Sequence, residues 1–260
     1  RVAVAAGAGD QAAGAVGAGV IAPGSASLSL GTSGVLFAAD DAFRPNPERA
    51  MHAFCHCLPG TWHQMAVILS AASCLAWIRA ATGAESEAAL LAEIEAADRV
   101  EPGLLFLPYL SGERTPHNDA GASGAFVGLS GGTDRAALGR AVLEGVAFAF
   151  ADCHDVLAEA GAKLDEISVI GGGARSALWG RILASALGRP LVYREAGEVG
   201  PALGAARLAR LCVGDERPES VCTPPPILRV AEPDPALRDH YVSMLASFRE
   251  LYRRLRRSPA

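Results

Sequence analysis

The sequence predicts an α/β fold in which the strands are at least partly parallel. In the second half of the chain, β-type segments at 167–173 and 190–194 alternate with helical segments at 176–187 and 199–211. A strand that returns to its sheet through a helix pairs in parallel with its predecessor. With 260 residues, 50% of them hydrophobic, the chain can bury a full core, and we expect one large domain.

The first part of the chain begins with a predicted strand at residues 2–6 that runs into a glycine turn. The segment SASLSLGTSGVLFAA, residues 25–39, places a turn at 31–34 between two β-type runs, which indicates a hairpin. Residues 62–81 are predicted to form one helix ended by Thr82 and Gly83. Its apolar positions recur at helical spacing: Met65, Ile68, Leu69, Ala72, Leu75 and Ala76.

The middle of the chain continues with a predicted helix at 85–98, a buried strand at 103–110 and a strand at 124–130. Between these two strands, residues 111–124 are predicted to form a long surface loop, and loops of that length are usually functional or disordered. Thr133 is predicted to cap a helix that reaches Ala160 and stops at Gly161.

The whole chain is divided into three parts. We assign residues 1–215 to the main domain, residues 216–232 to a proline-rich linker, and residues 233–260 to a helix packed on the same domain. The apolar positions of this helix recur at helical spacing. They are Tyr241, Met244, Leu245, Phe248, Leu251 and Leu255.

Charge and cysteine content exclude several classes of function. The net charge is −5, and the only basic cluster lies on the last helix, so we expect a solvated helix end there and no nucleic-acid partner. We expect no membrane association, because the chain lacks a long uncharged apolar run of about 18 residues and a signal peptide. The six cysteines follow no disulfide framework, so reduced thiols and a cytoplasmic location are expected.

Three glycine turns follow predicted strands: GAGD at 7–10, GTSG at 31–34 and GGGA at 171–174. Glycine lets backbone N–H groups approach phosphate oxygens, although tight turns favour glycine for conformational reasons alone. GAGDQA also has the G-x-G-x-x-A spacing of a dinucleotide-binding turn. However, Asp10 occupies the turn itself, and the next acid is Asp40 instead of one about 20 residues on. No G-x-x-x-x-G-K-[ST] motif is present.

Residues 5–34, AAGAGDQAAGAVGAGVIAPGSASLSLGTSG, resemble the second half of the FGGY family of carbohydrate kinases. The segments at 52–77, 105–119, 124–130 and 140–148 look like its xylulokinase branch, and those at 170–191 and 197–209 look like its adenosine-side turn and closing helix. The resemblance implies an actin-like, ribonuclease-H-like fold in two lobes, of which this chain is the carboxy-terminal lobe. Because Arg1 leads directly into a strand without a starting Met, we expect the chain to begin inside a larger protein.

The resemblance also implies the site. Asp10 would be the base that activates a hydroxyl of the sugar, which it would also bind, with ATP and Mg²⁺ as cofactors and a pentulose, D-xylulose, as substrate. The predicted ATP-binding residues form two turns, Gly31, Thr32, Ser33 and Gly34 for the phosphates and Gly171, Gly172, Gly173 and Ala174 beside ribose and adenine. The chain departs from the family at Ala177, where many relatives have an amide, and at Ala137, where a polar residue is usual.

The partners implied are a small sugar, ATP and the missing amino-terminal lobe. A face exposed by the missing lobe would favour association, so a homodimer is one expected state. Two other functions remain open: a non-catalytic actin-like nucleotide-binding module, and, less favoured, a nicotinamide-dependent oxidoreductase. An N-cap role is the alternative for Asp10.

Two clusters of polar residues have no assigned role. Glu113, Arg114 and His117 lie on the long loop and are equally compatible with ordering it and with lining a cleft. A second group crowds into twelve residues, but its spacing fits no usual zinc pattern, so we expect no metal there. It consists of His52, Cys55, His56, Cys57 and His63.

Overall fold

A computed structural model of the chain describes residues 2–195, 197 and 200–256. The described helices are α1 Asp10–Ala18, α2 Ala72–Ala81, α3 Glu87–Ala97, α4 Arg135–Glu159, α5 Ala177–Leu187, α6 Gly200–Val213, α7 Pro218–Val221 and α8 Pro235–Leu255. The described strands are β1 Gly24–Leu30, β2 Gly34–Asp40, β3 His52–Cys55, β4 Trp62–Ile68, β5 Leu105–Leu107, β6 Ala125–Val127, β7 Leu164–Ile170, β8 Leu191–Arg194 and β9 Ile227–Ala231.

The main sheet has seven strands in the order β3-β4-β2-β1-β7-β8-β9. The pairs β1/β7 and β7/β8 are parallel, and the remaining pairs are antiparallel. β5 and β6 form a separate antiparallel pair. The prediction of an α/β fold with partly parallel pairing is therefore confirmed, and so is the hairpin, in which Leu30 pairs with Gly34.

Helices cover both faces of the main sheet. On one face a large core contains Leu28, Leu36 and Ile68 of the sheet packed against side chains of α2, α3, α4, α5 and α8. On the other face α1 covers a smaller core with Phe37 and Ile170. α1 packs most extensively against α6, which follows the parallel strands.

The predicted strand at residues 2–6 is wrong. These residues have irregular backbone, and the side chains of Val2 and Val4 are each 91% exposed. In the described part of the chain no strand pairs with this segment. A strand needs a hydrogen-bonded neighbour, which a β-type sequence cannot supply by itself.

The single helix predicted over residues 62–81 is also wrong in its first half, which forms β4 between β2 and β3. Ala66 and Ile68 enter the large core, whereas Val67 enters the smaller core on the opposite face. Because both faces are buried, the apolar and polar alternation that marks a half-exposed strand is absent. The second half is α2, and it ends before Thr82 as predicted.

The other predicted helices are confirmed with small shifts at their ends. α4 is capped by the Asp134 side chain, which accepts a hydrogen bond from the N–H of Ala137, and not by Thr133. Thr133 instead accepts a hydrogen bond from the Ser130 N–H in the preceding turn. The predicted start of α6 at Val199 lies outside the described residues.

Residues 216–232, predicted as a linker, contain α7 and the edge strand β9, which pairs with β8. α8 then packs its apolar face on the large core through Leu237, Tyr241, Met244, Phe248 and Tyr252. The division into domain, linker and closing helix stays a prediction. None of the helices in the described part of the chain combines the length and the apolar character needed to cross a bilayer.

Candidate active site

Two of the three glycine turns meet at the carboxyl edge of the parallel strands. β1 and β7 are paired up to Ser29 and Ile170, so the turns that follow them leave the sheet side by side. A Cβ atom placed on Gly173 would lie 2.5 Å from Leu30 Cγ and 3.0 Å from the Leu30 carbonyl oxygen. The GGGA turn therefore lies directly against the strand that enters the GTSG turn.

The third turn reaches the same edge through α1. The carboxyl end of α1 lies beside β7, where Ala18 lines one pocket with Ser168. A Cβ atom on Gly14 would lie 3.5 Å from Ile170 Cδ1, at the end of β7. Asp10 lies one helical turn further toward that edge, roughly 6 Å along the axis. All three predicted turns thus converge.

Asp10 is an exposed residue at the amino end of α1. Gly9 occupies the N-cap position, so Asp10 is the first helical residue and does not take the N-cap role considered above. One carboxylate oxygen of Asp10 accepts a hydrogen bond from the Gln11 N–H at 2.9 Å.

The GTSG turn exposes Thr32 and Ser33, whereas two of its carbonyl groups bind the start of α2. The carbonyl oxygens of Gly31 and Thr32 accept hydrogen bonds from the first N–H groups of α2 at 2.8 and 2.9 Å. Gly34 is buried, and a Cβ atom there would lie 2.5 Å from Phe150 Cζ, so the absence of its side chain is required by packing.

The GGGA turn begins with Gly171, whose φ of 93° lies in the left-handed region that favours glycine. Gly172 is exposed, and a Cβ atom there would meet no atom within 4 Å. Ala174 is fixed by its carbonyl oxygen, which accepts a hydrogen bond from Arg229 Nη2 at 2.7 Å. Arg229 therefore holds the turn in place, and the surface at Gly172 is free of other protein atoms.

The position of Asp10 depends on glycines where α1 meets α6. A Cβ atom on Gly204 would overlap the carbonyl oxygen of Ala13, and one on Gly17 would overlap that of Gly200. In addition, Arg207 Nη1 donates hydrogen bonds to the Val16 and Gly17 carbonyl oxygens at 2.9 and 3.0 Å. The two backbones can pack closely only because these positions lack side chains.

The long loop at 111–124 is partly buried and faces two different elements. Glu113 is 2% exposed and accepts a hydrogen bond from the Leu69 N–H at 2.9 Å, at the end of β4. The His117 ring stacks on Tyr252 of α8 with 3.6 Å between centroids. The loop is therefore ordered by packing, and Glu113 reaches the segment that holds the GTSG turn.

The histidine and cysteine cluster is organised around Phe37. The His63 ring stacks on Phe37 with 4.4 Å between centroids, and His56 Nε2 lies 3.2 Å from the Val20 carbonyl oxygen. Within the described residues no group of three potential metal ligands occurs. The expectation that this cluster binds no zinc stays a prediction.

His63 is expected to make the protein sensitive to acid. Burial lowers the pKa of His63 from 6.5 to about 4, because the charged ring loses its hydration. The stability contributed by this site is complete above pH 6.5 and is lost as the pH falls toward 4, at roughly 1.4 kcal/mol per pH unit. Unfolding free energies measured between pH 7 and 5 should fall less for His63→Phe than for the unchanged protein. His240→Gln, on the exposed side of α8, is the control, and equal slopes for all three proteins would contradict the assignment.

Comparisons with known proteins agree on one family. Residues 26–211 match the model of the FGGY family of carbohydrate kinases, C-terminal domain. The matched range contains the GTSG and GGGA turns, whereas Asp10 precedes it. The xylulose kinase of Escherichia coli (strain K12) is 48% identical over 255 residues, which cover 98% of this chain and 53% of that protein.

Solved structures give the same result. A crystal structure of a xylulose kinase from Brucella ovis aligns with a TM-score of 0.91 and 48% identity, covering 96% of this chain and 51% of that one. The xylulose kinase from Rhodospirillum rubrum aligns with a TM-score of 0.83 and 32% identity over 96% of this chain and 51% of its own. The fold is thus the actin-like fold of a carbohydrate kinase, in its carboxy-terminal lobe. The chain belongs to the FGGY family of carbohydrate kinases, and it spans about half the length of the relatives it matches.

Proposed function

We propose that this chain is the nucleotide-binding half of an ATP-dependent kinase that transfers the γ-phosphate of MgATP to the primary hydroxyl of D-xylulose. The observation that supports this most is the convergence of Asp10, the GTSG turn and the GGGA turn at one edge of the sheet. The sugar is proposed because the relatives with 48% identity are xylulose kinases.

Each turn would contribute differently to the reaction. Thr32 and Ser33 would donate hydrogen bonds to the β- and γ-phosphates, because their side chains are exposed while the turn carbonyls are bound to α2. Gly172 would lie beside ribose and adenine, where its missing side chain leaves an open surface. Phosphoryl transfer needs mainly positioning and charge stabilisation, which such donors provide.

Asp10 would accept the proton of the attacking hydroxyl. The hydroxyl becomes acidic as its bond to phosphorus forms, so a carboxylate placed beside it can take the proton. The exposed carboxylate at the carboxyl edge can be reached by a sugar held between two lobes. Mg²⁺ typically binds substrate phosphates, waters and one or two carboxylates, so it would enter with ATP.

The rest of the site would come from an amino-terminal lobe. The chain covers 53% of the xylulose kinase of Escherichia coli, which leaves room for a second lobe of similar size. That lobe would supply most sugar contacts and the remaining phosphate and metal contacts. A homodimer and a cytoplasmic location remain part of the proposal.

The test is ATP turnover by the full-length protein with and without D-xylulose. We expect sugar-dependent formation of ADP and a phosphorylated pentulose. ATP binding by calorimetry without sugar-dependent turnover would instead favour a non-catalytic nucleotide-binding module. Failure to bind ATP together with binding of NAD would contradict both.

Substitutions at Gly172 and Gly173 distinguish a residue proposed to contact the nucleotide from a residue needed for packing within the lobe. The side chain added in Gly172→Val meets no protein atom, so it should not lower the melting temperature. It would occupy the space proposed for the nucleoside and should raise the KM for ATP about tenfold, equivalent to roughly 1.4 kcal/mol. Gly173→Ala should lower the melting temperature, because its Cβ would meet Leu30. An unchanged KM for ATP in Gly172→Val would contradict the proposed place of the nucleoside.

A further inference from the structure

The start of α2 donates several hydrogen bonds to the GTSG turn. The Thr32 carbonyl oxygen accepts hydrogen bonds from the Ala71 N–H at 2.9 Å, from the Ser73 N–H at 3.3 Å and from the Ser73 hydroxyl at 2.8 Å. Ser73 therefore adds a side-chain donor to two backbone donors on a single carbonyl group.

This arrangement decides which groups of the turn face outward. A carbonyl oxygen near a phosphate would repel it, whereas N–H and hydroxyl groups attract it. By binding the Thr32 carbonyl oxygen, Ser73 stabilises the orientation in which this oxygen faces α2 while Thr32 and Ser33 stay exposed. Ser73 is itself partly buried.

The start of α2 is in turn attached to the long loop by Glu113. Its Oε1 accepts hydrogen bonds from the Leu69 N–H at 2.9 Å and the Arg114 N–H at 2.8 Å. Thr115 adds two hydrogen bonds to Val67, the N–H of Thr115 donating to the Val67 carbonyl oxygen and the Val67 N–H donating to the Thr115 hydroxyl, each at 3.0 Å. Leu69 lies two residues before Ala71, so Glu113 fixes the backbone where β4 turns into α2.

Burial favours the neutral form of Glu113. Burial raises the pKa of Glu113 to about 8, while its hydrogen bonds with the N–H groups of Arg114 and Leu69 and the charge of Arg114 act in the opposite direction. Its Oε2 has no hydrogen-bond partner within the described residues. The other titratable groups that interact with it are Asp152 and Cys153 of α4, Cys74 of α2 and Tyr109. A glutamine at this position keeps an oxygen that accepts these hydrogen bonds and matches the neutral form that burial favours.

We propose that Ser73 and Glu113 are positioning residues that hold the GTSG turn in its phosphate-binding orientation, Ser73 directly and Glu113 through residues 69–73. This rests on the proposed function, because it assumes that the turn binds ATP phosphates. Neither residue would touch the substrate. Their effect would appear in ATP use and not in sugar use.

The test compares Ser73→Ala with Ser73→Thr in the full-length protein, by steady-state kinetics in ATP and in D-xylulose. Loss of one hydrogen bond should raise the KM for ATP about 3- to 10-fold in Ser73→Ala, and Ser73→Thr should restore it because the hydroxyl is kept. The KM for D-xylulose should stay unchanged in both. Ser243→Ala, in which an exposed serine of α8 loses a similar bond to a carbonyl oxygen, is the matched control.

Two substitutions, Glu113→Gln and Glu113→Leu, test the role of Glu113. Glu113→Gln should keep the KM for ATP within twofold at pH 7, and Glu113→Leu should raise it. If Glu113→Leu does not fold, the Ser73 variants decide the proposal. Equal KM values for ATP in Ser73→Ala and the unchanged protein would overturn it. Failure of the proposed function would be recognised separately, as absence of sugar-dependent turnover in the unchanged protein.

Discussion

Replacing Asp10 with Asn in the full-length protein should lower kcat by about 10²- to 10⁴-fold, the range over which a positioned general base contributes. Asn keeps the size of the side chain and its acceptor for the Gln11 N–H, but it cannot accept the proton of a hydroxyl. The measurement is the initial rate of ADP formation at saturating ATP and D-xylulose. ATP binding, measured by calorimetry, should change little.

The control separates lost chemistry from lost structure. Asp10 is exposed at the first position of α1, so Asp10→Asn should leave the melting temperature nearly unchanged. Asp239→Asn makes the same change on an exposed aspartate of α8 and should leave kcat unchanged. Turnover of Asp10→Asn within a few-fold of the unchanged protein would end the assignment of Asp10 as the base.

Replacing Gly204 with Ala should destabilise the lobe by about 1–3 kcal/mol or more, because the new Cβ would overlap the Ala13 carbonyl oxygen. The backbone of α1 must then move away from α6, and Asp10 moves with it. A reduced kcat should therefore accompany the lower melting temperature. Helix propensity alone would predict the opposite change in stability, because Ala favours the helix over Gly by about 1 kcal/mol.

Gly14 supplies the matched comparison. A Cβ atom there would lie 3.5 Å from Ile170 Cδ1 and 3.6 Å from Pro201 Cγ, which are ordinary contact distances. Gly14→Ala should therefore be neutral or stabilising, although it changes the same kind of residue in the same helix pair. Equal melting temperatures for Gly204→Ala and Gly14→Ala would show that close packing of α1 on α6 does not depend on Gly204.

Features that depend on neighbouring residues were predicted from sequence. The hairpin around residues 31–34, the helical segment at 176–187 and the end of α2 before Thr82 each follow from residues a few positions apart. The three turns were also recognised by their glycines. Their assignment to phosphate and nucleoside binding came from the resemblance to the family and stays a prediction.

Errors occurred where distant segments decide the structure. β4 was predicted as helix because both of its faces are buried, so its sequence lacks the alternation of a half-exposed strand. The helices that bury these faces, α4 and α1, are distant from β4 in sequence. Residues 2–6 have strand-like composition, but no described strand pairs with them. Ser73 gave no signal, because a serine early in a helix is common and its partner Thr32 lies 41 residues away. Glu113 was noted on the long loop, but its partner Leu69, 44 residues away, could not be recognised from sequence.

The family, the α/β class and the three glycine-rich segments could therefore be recognised from the sequence, because short motifs and caps act over a few residues. That these segments share one edge depends on long-range packing, since it requires the pairing of β1 with β7 and the return of α1 along the sheet. Long-range packing also brings the glycines of α1 and α6 together and places the buried Glu113 beside Leu69. Such contacts depend on steric fit and desolvation between segments far apart in the chain, which no local pattern records.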